Sequence, residues 1–285
     1  MKHILLVDGM ALLFRGFYAT AYSRNYMIND DGIPTNGVQQ FLRYFLDCIQ
    51  TFQPTHVICC WDSGKTTFRT ELYEAYKANR SDPPEELIPQ FSLVQDVVRA
   101  FSLPNVSVKN YEADDLIGTL ATLYKDDKIT IQTGDRDLLQ LVDSNTRVAL
   151  MQKGIGNYDV YDEQNFFEKI GLYPEQLLDF KGLTGDSADN YPGVRGIGEK
   201  TALKLLQQYD SFETILQQVD ELTPAMKKRL TEQRDMFYLS RSLAEIKCDV
   251  PFTISLEKAN YEVDIDEVEE RIHQIGVSFP LRKYV

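Results

Sequence analysis

The chain has 285 residues, enough for one or two domains, and 43% of them are hydrophobic, which suffices for a buried core. No apolar run is long enough to cross a bilayer, and Asp8 interrupts the short apolar start too early for a signal peptide. We therefore expect a cytoplasmic protein that does not bind membranes. The formal net charge of −13 would by itself favour an ordinary acidic enzyme over a nucleic-acid-binding protein, which usually has a basic surface.

The cysteines do not indicate a metal site. None of the four forms a C-x-x-C pair, and the chain has only three histidines, so we do not expect structural zinc. Cys59 and Cys60 lie in an apolar run, which is typical of reduced thiols in a core.

Strand-like and helix-like segments alternate in the first part of the chain. Continuous apolar runs at 3–7 and 56–61 predict central parallel strands. Further strands are predicted at 106–108 and 128–133, and helices at 37–52, 86–101 and 116–123. This alternation predicts an α/β domain with a mostly parallel sheet over residues 1–174.

Strand signals fade from about residue 175. Helical spacing is found at 177–178, 201–209, 212–219, 226–243 and 264–275, with one strand-like stretch at 252–254. We therefore predict a smaller helical domain over residues 175–285. No internal repeat or low-complexity linker separates the two parts.

Acidic residues follow three of the predicted strands. Asp8 ends the first and Asp62 the second, while Asp135 and Asp137 follow the strand at 128–133. The carboxyl ends of parallel strands meet at one edge of a sheet, where ligands bind. We therefore expect these side chains to lie close together.

Two more acidic groups stand where helices are expected to begin. Glu112, Asp114 and Asp115 precede the helix at 116–123, and Asp186 and Asp189 share one face of a helical turn. Taken alone, each of these acids is more simply explained as a helix cap or a turn residue.

A single cluster of all these carboxylates would be tolerable only with bound cations, because like charges repel. Oxygen ligands without His or Cys select Mg²⁺ or Mn²⁺, and so many acids suggest two ions. Two ions roughly 3.5–4 Å apart are typical of phosphodiester hydrolysis, in which one activates water and the other stabilises the leaving oxygen.

Residues 192–206 combine closely spaced glycines with basic side chains. Glu199 and the lack of a preceding strand argue against a nucleotide-binding P-loop. The segment fits a helix–hairpin–helix, whose backbone N–H groups approach DNA phosphates without reading the sequence. A plain tight turn is the simpler alternative, but the glycine density and Lys200-Thr201-Ala202 favour the hairpin.

Residues 65–80 form the most basic stretch of the first half, with tyrosines between lysines and arginines. Such a mixture suits a single nucleic-acid strand, with cations on phosphates and rings on bases. A solvated amphipathic helix is the simpler alternative. The position directly after Asp62 favours a binding role.

Taken in order, these motifs resemble the 5′–3′ exonuclease and flap endonuclease family. The resemblance is carried by residues 7–9, 61–62, 68–80, 112–115, 133–137, 182–190 and 193–202. No polymerase sequence follows, so the chain resembles free-standing bacterial homologues of the DNA polymerase I 5′-nuclease domain. The resemblance implies a PIN-like domain with a helical arch at about 64–90, followed by a helix-three-turn-helix (helix–hairpin–helix) domain.

The same resemblance implies a set of site residues. Around the first ion it places Asp8, Asp62, Glu112, Asp114 and Asp115, and around the second Asp135, Asp137, Asp186 and Asp189. Its catalytic residues would be Asp8, Asp114, Asp135 and Lys77, with Lys77 on the scissile phosphate. Its DNA-binding residues would be Arg15, Tyr18, Arg69, Tyr76, Lys77, Arg80, Lys181, Gly193, Arg195, Gly196, Gly198, Lys200 and Thr201. A potassium ion is also expected in the hairpin at 193–198.

The implied activity is a Mg²⁺-dependent, structure-specific 5′–3′ exonuclease and flap endonuclease. Its substrate would be branched or flapped double-stranded DNA with a 5′ single strand. We expect a bacterial, nucleoid-associated monomer that removes RNA primers and repairs DNA. Two alternatives are a silent reader of branched DNA, which the complete acid set disfavours, and a PIN-type ribonuclease, which the hairpin disfavours.

Overall fold

Six strands form one sheet in this computed structural model, which describes residues 1–21 and 26–284. They are β1 His3–Asp8, β2 His56–Cys60, β3 Asn105–Val106, β4 Lys128–Thr133, β5 Thr146–Met151 and β6 Tyr158–Tyr161. Their order is β3-β2-β1-β4-β5-β6, and only β6 runs antiparallel to its neighbour. The predicted mostly parallel α/β sheet is confirmed, with β5 and β6 as additions that we did not predict.

Helices cover both faces of the sheet. Those of the first part are α1 Gly9–Ala21, α2 Asn36–Phe52, α3 Phe68–Leu72, α4 Gln90–Ala100, α5 Ala113–Leu123 and α6 Phe166–Ile170. Leu5 and Val7 of β1 face a core shared with α1, α2 and α4, whereas Ile4 and Leu6 face a second core shared with α5. This burial on both sides explains why β1 is a continuous apolar run.

The later part of the chain is helical, as predicted. Its helices are α7 Leu177–Thr184, α8 Glu199–Tyr209, α9 Phe212–Gln217, α10 Pro224–Glu232, α11 Arg234–Ala244 and α12 Ile265–Gln274. Helices α7 to α11 surround their own core, in which the rings of Phe212 and Phe237 stack. The helix predicted at 226–243 is divided at Gln233, and the stretch at 252–254 pairs with none of the described strands.

The end of the chain returns to the first part. Val268 and Ile272 of α12 are buried in the core shared by α1, α2 and α4, because this amphipathic helix turns its apolar face to the sheet domain. A single helical domain over 175–285 therefore does not describe α12. Within the described residues, no helix is long and apolar enough to cross a membrane.

The expected helical arch at 64–90 is helical only in part. After α3 the chain leaves the helix at Tyr73 and continues as turns until α4. Pro89 cannot donate a helical hydrogen bond, which accounts for the start of α4 at Gln90 rather than at residue 86.

Two glycines bring the end of α7 against the hairpin that precedes α8. Gly193 has a φ of +64°, and a Cβ atom there would lie 2.2 Å from the backbone nitrogen of Gly185. We predict that Gly193→Ala lowers the free energy of unfolding by at least about 1–2 kcal/mol, the cost of a left-handed residue, with the backbone clash in addition. Thermal and urea unfolding of the two proteins would measure this loss.

Gly198→Ala is the matched control. Gly198 caps α8 with a φ of −98°, and no described atom lies within 4 Å of the Cβ position, so this variant should lose only part of the helix cap and remain more stable than the Gly193 variant. Equal stability of the two alanine variants would contradict the proposed close approach.

Candidate functional site

The strand order reverses between β1 and β4, and a crevice lies where these strands end. Asp8 ends β1 and is 4% exposed. Its Oδ1 accepts the N–H of Ala11 at 2.9 Å, and its Oδ2 accepts the hydroxyl of Thr133 at 2.7 Å. The last residues of two neighbouring strands therefore fix the direction of one buried carboxylate.

Two further acids lie close enough to Asp8 to change its ionisation. Burial, then Asp62 and Asp135, raise the pKa of Asp8 to about 7, against the lowering effect of its two hydrogen bonds. Burial, followed by Asp8 and Asp135, raises the pKa of Asp114 well above its ordinary value. The structure thus brings Asp8, Asp62 and Asp135 to one edge of the sheet, as the strand pattern predicts, together with Asp114 from the first turn of α5.

Asp62 and Glu112 are attached to the start of α5. The Oδ1 atom of Asp62 accepts the N–H of Ala113 at 2.7 Å, and Glu112 is the residue that caps the helix. Burial and the charge of Glu112 raise the pKa of Asp62. A helix start and a strand end therefore hold these two carboxylates side by side.

A second group of acids is bridged by a lysine. The Nζ atom of Lys181 lies 2.5 Å from Asp137 Oδ1 and 2.5 Å from Asp186 Oδ2. Burial and Asp135 raise the pKa of Asp137 to about 6 although Lys181 opposes them. For Asp186, the hydrogen bond and charge of Lys181 outweigh burial and lower the pKa.

The segment after α3 joins the two groups of acids. The Tyr76 hydroxyl lies 3.2 Å from Glu112 Oε2 and 3.1 Å from Asp189 Oδ2. The Nζ atom of Lys77 donates to Glu112 at 2.8 Å, and Arg80 forms an ion pair with Asp189. Glu112 and Asp189 are thus connected through side chains of the predicted arch.

Within residues 1–21 and 26–284, no three His, Cys, Asp or Glu side chains are arranged as a ready-made ion site. Instead, the carboxylates form ion pairs with the side chains of Lys77, Arg80 and Lys181. The donor set itself fits hard divalent cations, because it consists of carboxylates whose raised pKa values reflect burial and mutual repulsion.

Asp115 and Arg69 have a different position from the one that the resemblance implies. Asp115 is fully buried, and both of its oxygens accept guanidinium N–H groups of Arg69 at 2.8 Å. Arg69 is 2% exposed and also donates to the carbonyl oxygens of Leu243 and Glu245. Asp115 is therefore not free to ligate an ion, nor Arg69 to reach DNA, because this buried ion pair ties α3 and α5 to the segment after α11.

Two other expected DNA contacts are also buried. Tyr76 is 4% exposed, and its ring stacks on that of Tyr191 with centroids 6.4 Å apart, so it presents no face to a base. Gly193 is buried against Gly185 and acts through backbone packing. Tyr18, in contrast, is 57% exposed on α1, and Arg15 of the same helix is half-buried and donates to the carbonyl of Gln152.

The hairpin before α8 exposes the expected cations. Arg195 and Lys200 are exposed, and neither forms an ion pair with any residue that the structure describes. Gln233 holds the hairpin: its Oε1 accepts the N–H of Arg195 at 2.8 Å, and its Nε2 donates to the Arg195 carbonyl at 3.3 Å. Gly196, Gly198 and Thr201 complete this hairpin, with both glycines exposed.

Sequence reasoning missed Thr133 and Gln233. The parallel pairing of β1 with β4 sets Val7 beside Gln132, so an alignment of the two strands would have placed Thr133 near Asp8. No local signal marks Gln233, which acts 38 residues from its partner.

Comparisons with known proteins identify the family. A model described as 5′-3′ exonuclease, N-terminal resolvase-like domain matches residues 3–171, and one described as 5′-3′ exonuclease, C-terminal SAM fold matches residues 172–267. A 5′-3′ exonuclease of Bacillus subtilis (strain 168) is 50% identical over 98% of this chain and 96% of its own. The chain belongs to the 5′–3′ exonuclease family.

Other relatives of this exonuclease-family chain are longer or more distant. DNA polymerase I of Bacillus caldotenax is 40% identical over 99% of this chain but only 32% of its own, so the chain spans about a third of that protein. The T5 D15 protein co-crystallised with metal ions has a TM-score of 0.71 at 19% identity, covering 96% of this chain and 98% of its own. The catalytic core of Rad2 with DNA substrate has a TM-score of 0.60 at 14% identity, covering 99% and 89%. These two structures share the fold.

The buried ion pair can be tested by removing one partner. We predict that Asp115→Ala lowers the free energy of unfolding by about 3–5 kcal/mol, because it leaves the Arg69 guanidinium buried without its counter-charge. Denaturant unfolding measures the loss. As a control, Asp96→Ala breaks an exposed pair with Arg99 and should hardly change stability; a similar loss in both variants would contradict the structural role of Asp115.

The raised pKa of Asp8 predicts that ionisation of this side chain lowers the stability of the metal-free protein. A carboxyl group with a folded pKa of about 7 and an unfolded value of 3.8 binds more protons when folded, so its ionisation destabilises the fold as the pH rises between these values. The stability of Asp8→Asn relative to the parent should therefore increase from pH 4 to pH 8, by on the order of 4 kcal/mol.

Unfolding in EDTA across this pH range measures that difference, and titrating groups remote from Asp8 cancel between the two proteins. Added Mg²⁺ at pH 8 should stabilise the parent more than the variant, because only the parent retains the charged oxygen. A difference between the two proteins that does not change with pH would contradict the assignment.

Proposed function

We propose that this chain is a divalent-metal-dependent 5′–3′ exonuclease and flap endonuclease that hydrolyses DNA phosphodiester bonds. The observation that carries this proposal is the gathering of carboxylates from separate parts of the chain at the carboxyl edge of the sheet. Family membership supports the reaction class, and the exposed hairpin cations support DNA as the substrate. Solved structures of similar fold that were determined with metal ions or with DNA substrate agree with it.

The proposed ligands lie on elements that restrict their motion. Asp8 is oriented by Thr133 and by the N–H of Ala11, and Asp62 is oriented by the N–H of Ala113. When bound, two Mg²⁺ or Mn²⁺ ions would activate a water and offset the charge of the scissile phosphate. The ligands that we propose from the positions in this structure are Asp8, Asp62, Glu112, Asp114, Asp135, Asp137, Asp186 and Asp189.

Lys77 is the proposed cation for the scissile phosphate. Its Nζ is 2.8 Å from Glu112 and 3.9 Å from Asp189, so it lies between the two groups of acids. A DNA phosphate at this position would replace a carboxylate as the anionic partner of Lys77. Arg80, half exposed beside Asp189, is placed to contact the same strand.

The hairpin is the proposed grip on the duplex. Arg195, Lys200 and Thr201 stand at the start of α8, where backbone N–H groups and the helix dipole favour phosphate. Such contacts fix the position of DNA without reading its sequence, which suits an enzyme that recognises branch structure. Arg229 donates to the carbonyl of Gly196 at 3.3 Å, so the potassium ion proposed in the hairpin at 193–198 would have to displace this guanidinium or use other carbonyl oxygens.

In this proposal the duplex lies against the hairpin, and the 5′ single strand passes the segment at 64–90. Water attacks the phosphorus in line, and the products are a 5′-phosphate and a 3′-hydroxyl. Tyr18 and Arg15 on α1 would contact DNA near the cut. Removal of RNA primers and repair of flaps by a monomer is the biological role that this activity suits best.

A flap-cleavage assay tests the proposed function. The parent should cut a labelled 5′-flap DNA in Mg²⁺ or Mn²⁺ and should lose activity in EDTA. Asp135→Asn should reduce the cleavage rate while DNA binding stays measurable. The reduction should exceed roughly 10–100-fold, which is the usual loss when a residue that only supports a metal ligand is removed. Asp126→Asn, an exposed acid at the opposite edge of the sheet, is the matched control and should cut normally.

No cleavage of the flap at any metal concentration would overturn the proposal. Tight binding of the flap without cleavage would instead indicate a reader of branched DNA.

A further inference from the structure

Lys181 occupies the position between two of the proposed metal ligands. It lies in the last turn of α7, and its ammonium contacts Asp137, which follows β4, and Asp186, in the loop after α7, at 2.5 Å each. All three side chains are largely buried, with 24%, 16% and 19% exposed respectively. One cation therefore bridges carboxylates from two separate parts of the chain, as a divalent ion would.

The charge of Lys181 is secure in this position. Its ammonium contacts a carboxylate on each side at 2.5 Å, and both ion pairs favour the charged form. Without Lys181, Asp137 and Asp186 would lie close together without the cation that bridges them, because the same ammonium contacts both. The lysine thus replaces part of the charge that a metal ion would supply.

The ammonium of Lys181 also lies beside a space that it can enter when it leaves the two carboxylates. A cleft of about 560 Å³ adjoins Asp137 and Lys181 and extends along Phe180 to Lys200 at the start of α8. The flexible four-carbon stem of a lysine allows its ammonium to swing into such a space. The cleft therefore adjoins the acids at one end and the exposed Lys200 at the other.

We propose that Lys181 is an internal counter-ion that holds Asp137 and Asp186 together until a divalent ion displaces it. It thereby sets the affinity of the second ion and, once displaced, becomes available to a DNA phosphate in the cleft. This inference rests on the proposed function. It makes Lys181 a positioning residue in the metal-free protein and a DNA contact only after the metal has bound.

The test measures metal binding without DNA and without turnover. Mn²⁺ is titrated into the full-length, metal-stripped protein by calorimetry and by electron paramagnetic resonance. Lys181→Met keeps the length of the side chain and removes the charge, so the dissociation constant of the weaker ion should fall by about tenfold, a common size for coupling between two bound species. In EDTA this variant should melt below the parent, and saturating Mn²⁺ should remove that difference.

Two further variants sharpen the result. Lys169→Met is the matched control, because Lys169 lines the same cleft but pairs with Asp159, which is not a proposed ligand. Its Mn²⁺ affinity should equal that of the parent. Lys181→Arg should weaken the binding of the second ion, because a guanidinium can hold both carboxylates by several hydrogen bonds.

Unchanged or weaker Mn²⁺ binding by Lys181→Met would overturn this inference alone. If that variant does not fold, Lys181→Arg provides the test. An affinity for the second Mn²⁺ ion equal to that of the parent would then overturn the inference. A parent that binds no Mn²⁺ at all would contradict the proposed function as well.

Discussion

Repulsion between buried carboxylates is the constraint on which the rest of this structure depends. Asp8, Asp62 and Asp114 lie at the carboxyl edge of the sheet, where burial and neighbouring acids raise their pKa values. Such a cluster forms only if other groups lower its free energy. Hydrogen bonds from Thr133 and from backbone N–H groups do so in part, and Lys77, Arg80 and Lys181 supply positive charge. These cations account for the stability of the acid cluster in the protein.

The same need for positive charge connects the cluster to the rest of the molecule. Lys77 and Arg80 belong to the segment after α3, and the backbone N–H of Lys77 also donates to the carbonyl of Asp189. Asn190 donates to the carbonyl of Ala75, so this segment and the loop at 186–191 form one hydrogen-bonded unit. The groups that neutralise the acids are therefore also the groups proposed to meet DNA. A metal ion would compete with these cations for the carboxylates, and a DNA phosphate would compete with the carboxylates for these cations.

The sequence predicts the features that depend on local pattern. Apolar runs mark β1, β2 and β4, and the rule for parallel strands then brings Asp8, Asp62 and Asp135 to one edge. Strand β6 is short and lies at the edge of the sheet, and Arg147 interrupts the apolar pattern of β5, so neither was predicted. The Arg69–Asp115 pair and the brace from Gln233 join residues 46 and 38 positions apart, and no local pattern indicates which charges become buried partners. The net charge of −13 was misleading because it averages an acidic edge with an exposed cationic hairpin.

Anomalous diffraction from a crystal of the full chain with Mn²⁺ and a short 5′-flap DNA tests the central claim most directly. The account predicts two manganese peaks roughly 4 Å apart, coordinated by carboxylates that include Asp8, Asp114, Asp135 and Asp186. Manganese peaks bound elsewhere, or none beside these side chains while the flap is in place, would contradict it.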